Sequence, residues 1–452
     1  MKKYIQHIYI YSLILTGICL TFAGCQKDIV PDLKATTLAV RVQYESAYQR
    51  PQLSTEGYTV YLKNLTTGAE DSARVDADGI ALIPELSSGK YDIQVVKNFS
   101  ITEYEQVFGE KSKREVTFNA AENGYKILPT RDRNEISLTL HKSVPGDWVI
   151  KQLYYAGSDL YKAASLRDNF FEIYNNSDEV LYADSLCMMF VYGRLSTTYR
   201  MPEKLLENGQ FDWRQALGTE VAPANANTDY LYAQAIYMFP GNGNTYPVQP
   251  GQGLVVARSA INHKAPFTNK NGKVYEVSRP DLTVDLSKAD FEVITTPYLE
   301  EGVSESLIDI PTPGKTSLIV IQRFGATMMM DNIGRIGYAL FKTSEDIRKW
   351  PKYAEVKETT IEGKTLYTRV PKKYIIDAVE TQPNTADRRI PKKLSPELDA
   401  GFGFVPLGSY SSQALMRKVA RIVDGRRVLQ DTNNSSNDFE WIMPAIPGGF
   451  KD

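Results

Sequence analysis

Only three histidines, His7, His141 and His263, occur in the 452 residues, and they stand far apart. A zinc centre built on three imidazoles is therefore out of reach, and Cys19, Cys25 and Cys187 form no cluster that compensates. There is no HExxH, no G-x-S-x-G elbow and no glycine-rich phosphate loop. His141 continues the polar phase of a strand over 136–140, so a solvent-facing ring is expected there rather than a general base. With neither internal histidine tied to a nearby Ser or Cys, a hydrolytic triad lacks support, and no catalytic residue is assigned. Asp and Glu total 54, which guarantees accidental carboxylate pairs; a glycosidase would need two of them about 5 to 10 Å apart in a cleft.

Two polar clusters are the candidate binding or structural loops. One is Asn175-Asn176-Ser177-Asp178; the other holds Asp431, Asn433, Asn434 and Asp438, with Trp441 just beyond. Asn and Asp in such turns satisfy backbone groups with their own side chains, and that is the expected role of both clusters. A calcium or glycan contact at the second would need further ligands from elsewhere. Asp76 and Asp78 offer a hard cation two carboxylates where it takes six to eight oxygens, so that loop reads as a turn closed by Gly79. No metal site and no cofactor is assigned, and a structural calcium has no support.

These loops need a scaffold, and the chain opens with the means to export one. Lys2 and Lys3 precede an apolar run over 8–22 and then Ala23-Gly24-Cys25, the layout of a secretory signal peptide over 1–24. Phe22-Ala23-Gly24-Cys25 resembles a bacterial lipobox, although Phe22 stands where Leu is usual. That resemblance implies that Cys25 is lipidated and becomes the first mature residue. Cys187 is then the one remaining thiol, expected as a small apolar core residue, and stability must come from core burial rather than disulfides. Removing Lys2 and Lys3 leaves 50 basic against 54 acidic side chains, no broad positive field for nucleic acid. No later apolar run approaches the ~20 residues of a spanning helix, so acyl chains are the expected membrane attachment, with 25–37 as a tether. Gln26 after the cysteine favours the outer membrane; the periplasmic or the surface face is left open.

From residue 38 onward apolar and polar residues alternate in short runs. Leu38, Val40, Val42 and Tyr44 form one strand pattern and Tyr58, Val60 and Leu62 another, with turns between. About seven such strands up to residue 143 predict a β-sandwich. VYLKNLTTG and VDADGIALIPELSSGKYDIQV resemble the carboxypeptidase-regulatory or transthyretin-like sandwich, a module that implies a spacer or support over 38–143.

The second unit, 144–452, is read from FFEIYNNSDEVLYADSL, a strand, a polar turn and a second strand over 170–186. This segment, PVQPGQGLVVARSA at 247–260 and DTNNSSNDFEW at 431–441 resemble the lamin-tail-like domain, an immunoglobulin-like β-sandwich. Residues 261–416 read as one extended insertion with its own small sheet; within it TSLIVIQR, 316–323, fits a strand buried on both faces. The fold class expected is all-β, two immunoglobulin-like β-sandwiches, the second with a long insertion. The order of the pieces resembles an uncharacterised Bacteroides-type lipoprotein family, which implies a location and a shape but no activity.

The function expected is a non-enzymatic cell-envelope lipoprotein, a binding or adhesion module for an outer-membrane protein or a glycan. A carbohydrate-active hydrolase using Asp and Glu is the first alternative, and it would show close carboxylates in an aromatic-lined cleft. A structural or accessory subunit of an outer-membrane complex is the second, and it would show a broad apolar patch.

Overall fold

The computed structural model describes residues 35–131 and 133–451; Cys25 and the expected signal peptide lie outside them. The all-β expectation holds. Among the described residues strands run up to β27, beside one two-turn helix, Ile101–Phe108, a single turn at Ser435–Asp438 and short 3-10 turns.

Seven strands form the first unit: β1 (Thr36–Tyr44), β2 (Thr59–Asn64), β3 (Glu70–Arg74), β4 (Ile80–Leu86), β5 (Gly89–Phe99), β6 (Val116–Ile127) and β7 (Arg133–Ser143). They make one sheet in the order β3-β2-β5-β6-β7-β1-β4. Where the sequence reads a sandwich, this sheet is nearly closed into a barrel. The cause is β7, whose residues 133–140 run parallel to β1 while 141–143 pair antiparallel with β6. Alternation sets the core: Leu38, Val40, Val42, Tyr44, Val60 and Leu62 are buried, whereas Arg41, Gln43, Tyr61 and Lys63 are exposed. The Asp76 loop is a turn, with Asp76 Oδ1 accepting the Asp78 and Ile80 N–H groups at 2.9 Å each and Gly79 at φ +77°. Ser100 and Glu103 form a capping box for the helix, which lays Tyr104 and Phe108 into the barrel core.

The remaining strands are β8 (Trp148–Tyr154), β9 (Phe170–Asn175), β10 (Leu181–Tyr182), β11 (Cys187–Val191), β12 (Tyr230–Met238), β13 (Pro247–Val248), β14 (Gly253–Ala257), β15 (Phe267–Thr268), β16 (Val274–Tyr275), β17 (Phe291–Glu292), β18 (Thr316–Ser317), β19 (Ile319–Gln322), β20 (Gly337–Phe341), β21 (Lys352–Tyr353), β22 (Tyr367–Pro371), β23 (Ile375–Glu380), β24 (Ala414–Arg417), β25 (Val419–Val423), β26 (Arg426–Leu429) and β27 (Phe439–Ile442). One sheet runs β18-β17-β14-β9-β8-β24-β27; the other runs β21-β22-β12-β11-β20-β23, with β19 also on β12. They pack face to face through Ile150, Phe171 and Ile173 on one side and Met188, Phe190 and Leu340 on the other. The outer faces are covered too. Cys187, Met189 and Phe341 lie under Ile347 and Trp350, and Tyr154, Phe170 and Met416 lie against Val284 and Leu286. Burial on both faces explains why β11 is apolar at every position, while β9 carries its one charge, Glu172, paired with buried Lys151 at 2.7 Å.

Two expectations are corrected. Residues 261–416 are not one insertion: only the short β15–β16 pair stands as a small sheet of its own, while β17 and β18 extend one of the two sheets and β19 to β23 belong to the other. β17, β18 and β21, two residues each, are too short to show a period, so only tertiary pairing reveals them. TSLIVIQR is likewise not one doubly buried strand. β18 pairs with β17, β19 pairs with β12, and buried Leu318 marks the step between the sheets, leaving Ile319 and Ile321 half-buried.

Candidate functional site

The loop after β9 is tied from within. Asn175 Nδ2 donates to the Glu179 and Val248 carbonyls at 2.7 and 2.8 Å, and its Oδ1 accepts from Ser177 N–H and Oγ. Asn176 grips Leu429 in both directions, Nδ2 to the carbonyl at 3.1 Å and Oδ1 from the N–H at 2.7 Å. Both amides act as backbone surrogates, while Asp178 is exposed.

In the second cluster the carboxylates surround Arg417, a fully buried guanidinium that approaches Asp377 at 2.7 Å, Asp431 at 3.1 Å and Asp438 at 3.7 Å. Arg417 Nε also donates to the Ile150 carbonyl at 2.8 Å. Three acids share one cation away from water. Burial, joined by the neighbouring charge of Asp431, outweighs Arg417 and pushes Asp377 and Asp438 each up to about 7. Asp431 Oδ2 reaches back to Gly146 N–H at 2.7 Å, in the connection between the two units. Asn433 donates to the Glu397 carbonyl, Asn434 is buried with no side-chain hydrogen bond, and Trp441 stands half out of the protein at 49% exposure.

His141 Nδ1 lies 3.3 Å from Glu45, and buried His263 sits on the Ser259 carbonyl, with burial depressing it to about 4. Among the described residues no group of three His, Cys, Asp or Glu is placed to hold a metal ion.

The barrel meets the two-sheet unit along β6, where Asn119 donates to the Thr432 carbonyl at 2.5 Å and Asn123 to the Ala400 carbonyl at 3.2 Å. A third tie joins Arg389 to Asp92 at 3.4 Å. Clefts flank this seam. A polar one of about 970 Å³ takes in Asn176, Asp178 and Asp431 below the β25–β26 hairpin. An aromatic one of about 610 Å³ has Tyr61, Asn64 and Gln94 on the barrel wall and Arg389, Phe404 and Trp441 opposite. Both volumes suit a small ligand or a few units of a polymer.

The aromatic cleft is built by strand phase. Because Val60 and Leu62 point into the barrel, Tyr61 must point out, and it is 50% exposed. Trp441 lies on β27, the last strand of its sheet. Arg389 lays its guanidinium over Phe402 at 4.6 Å and Phe404 at 5.2 Å, and its Nε has no hydrogen-bond partner. The acids around it are engaged: Asp92 with Arg389 and Gly124 N–H, Glu70 with Lys63, Glu440 with Lys451, Asp71 with Ser72 N–H. Of the sequence candidates, Trp441 belongs here, Asn176, Asp178 and Asp431 line the polar cleft, and Asn175, Asn433, Asn434 and Asp438 line neither. Tyr61 had a signal in the alternation of β2. Arg389 and Phe404 had none, since irregular backbone brings them in.

No curated protein sequence matches the chain. Among solved structures, a DUF4876 family protein from Bacteroides thetaiotaomicron VPI-5482 is 20% identical, with 90% of this chain and 94% of that one covered and a TM-score of 0.49. A DUF3823 family protein from Parabacteroides merdae ATCC 43184 is 13% identical over 46% of this chain and 92% of that one, TM-score 0.15. The Streptococcal ancillary pilin is 12% identical over 56% and 62%, TM-score 0.16. Overlays this loose do not define a shared fold. Over residues 249–445 the chain is similar to DUF4876, a family described as a protein of unknown function.

Proposed function

We propose that this is a lipid-anchored outer-membrane protein that binds a neutral glycan in the aromatic cleft without transforming it. The observation that carries the reading is the pair of half-exposed rings, Tyr61 and Trp441, lining one cleft between the barrel and the two-sheet unit. Flat apolar ring faces suit the C–H faces of sugars, and Gln94 and Asn384 supply hydroxyl partners beside them. Lys63 and Arg389 meet four acids, Glu70, Asp71, Asp92 and Glu440, so the lining repels an anionic polymer. Each of those acids already has a partner, which supports holding a glycan over hydrolysing it.

The test is titration calorimetry of the full chain against neutral and uronic-acid oligosaccharides. Trp441→Ala and Tyr61→Ala should each weaken neutral-glycan binding about tenfold or more, with unchanged circular dichroism. Binding indifferent to both substitutions, or release of shortened sugars, refutes the reading. Anchoring has its own check: Cys25→Ala should abolish acyl labelling and move the protein out of the membrane fraction.

A further inference from the structure

All five residues of β25 are exposed, and four of them are apolar, the larger ones being Val419 at 39%, Ile422 at 65% and Val423 at 38%. β26 covers one edge of the strand; among the described residues nothing pairs with the other. Native proteins protect such edges, because a row of free N–H and C=O groups templates another strand.

The hairpin is nevertheless firmly held at its root. The Asn176 amide brackets Leu429, Tyr174 Oη donates to the Arg427 carbonyl at 2.7 Å, and Lys418 N–H donates to the Asp438 carbonyl at 2.8 Å. The barrel reaches it through one ion pair, Arg421 to Glu115 at 2.6 Å, with both side chains about half exposed. A solvent-screened pair of that kind exchanges readily for another. The hairpin segment holds Lys418, Arg421, Arg426 and Arg427 against Asp424 alone; Lys418 and Arg426 bond the Asn437 and Asn176 carbonyls, so Arg421 is the cation that the edge strand itself presents. A second copy of this chain fits poorly, since antiparallel pairing of β25 with itself sets Arg421 against Arg421 at the strand centre.

We propose that β25 is an acceptor edge that takes an extended, acidic segment of another protein as a third strand of the hairpin. Main-chain hydrogen bonds supply affinity, Arg421 exchanges Glu115 for an acid of the incoming strand, and Ile422 contributes apolar contact. This surface is independent of the aromatic cleft.

The experiment follows binding to the full chain of a synthetic peptide alternating Val and Glu, its Val/Lys counterpart, and the Val/Glu peptide N-methylated at alternate residues. The Val/Glu peptide should bind roughly tenfold tighter than Val/Lys, lose binding on N-methylation and slow amide exchange across 419–423. Arg421→Glu, an exposed change that leaves the root bonds in place, should reverse the preference. Equal or absent binding, or indifference to N-methylation, overturns the proposal. So does self-association through β25 in sedimentation, which would make a second copy the occupant, or tight capture by anionic lipid vesicles that Ile422→Ser abolishes.

Discussion

Arg417 and its three acids show how one residue can hold a fold and make it answer to pH. Removing carboxylates from water raises the cost of ionising them, and a single guanidinium cannot serve all three fully. For Asp377 and Asp438 the folded values near 7 stand above the ordinary 3.8. The folded state therefore holds protons that the unfolded chain gives up, and this stabilising contribution is complete below 3.8 and lost as pH rises through about 7. The urea midpoint of the wild type should fall across that window. In Asp377→Asn, which retains an acceptor for Arg417 and Ile150 N–H, the slope should be shallower; an unchanged slope would remove Asp377 from the explanation. Asp184 behaves oppositely: backbone N–H groups of Tyr246, Thr245 and Gly243 overcome its burial and hold it near 2, so its contribution disappears only as pH falls through that value.

At the scale of elements, strands were legible where one face meets water or where aromatic and apolar residues are dense. β1 and β2 show in their alternation and β11 in its unbroken apolar run, while β9 shows in its Phe, Ile and Tyr around the single charge of Glu172. The helix at Ile101–Phe108 was missed despite its Ser100 and Glu103 cap, since two turns give too few positions to show a helical stripe. β17, β18 and β21 span two residues each, so their existence depends on neighbours remote in sequence. The candidate site divides the same way: Trp441 could be singled out beside its Asn-rich turn, whereas Arg389 follows a 3-10 turn that no period announces. Asn176 offers a test of how an element is held. Asn176→Ala deletes both side-chain bonds to Leu429 and should cost about 1–3 kcal/mol of local stability. Amide exchange over 419–429 should quicken well before the global melting temperature moves by more than a few degrees; uniform destabilisation would contradict a local clamp.

Across the whole molecule, the barrel and the two-sheet unit each own a core, and few polar ties cross between them. Asn119→Ala with Arg389→Ala should separate the calorimetric unfolding of the two units and widen the aromatic cleft without unfolding either; a single unshifted transition would mean that the seam is held by other contacts. The pairing of β8 with β24 has a consequence for biogenesis. Ile150 and Arg417 meet across 267 positions of chain, so the sheet stays open until β24 and β27 have been synthesised. The barrel, complete by residue 143, is free to fold early. The larger unit must wait with the edge of β8 that β24 will fill unpaired, which makes it the part of the nascent protein that most depends on being kept unfolded until the chain is finished.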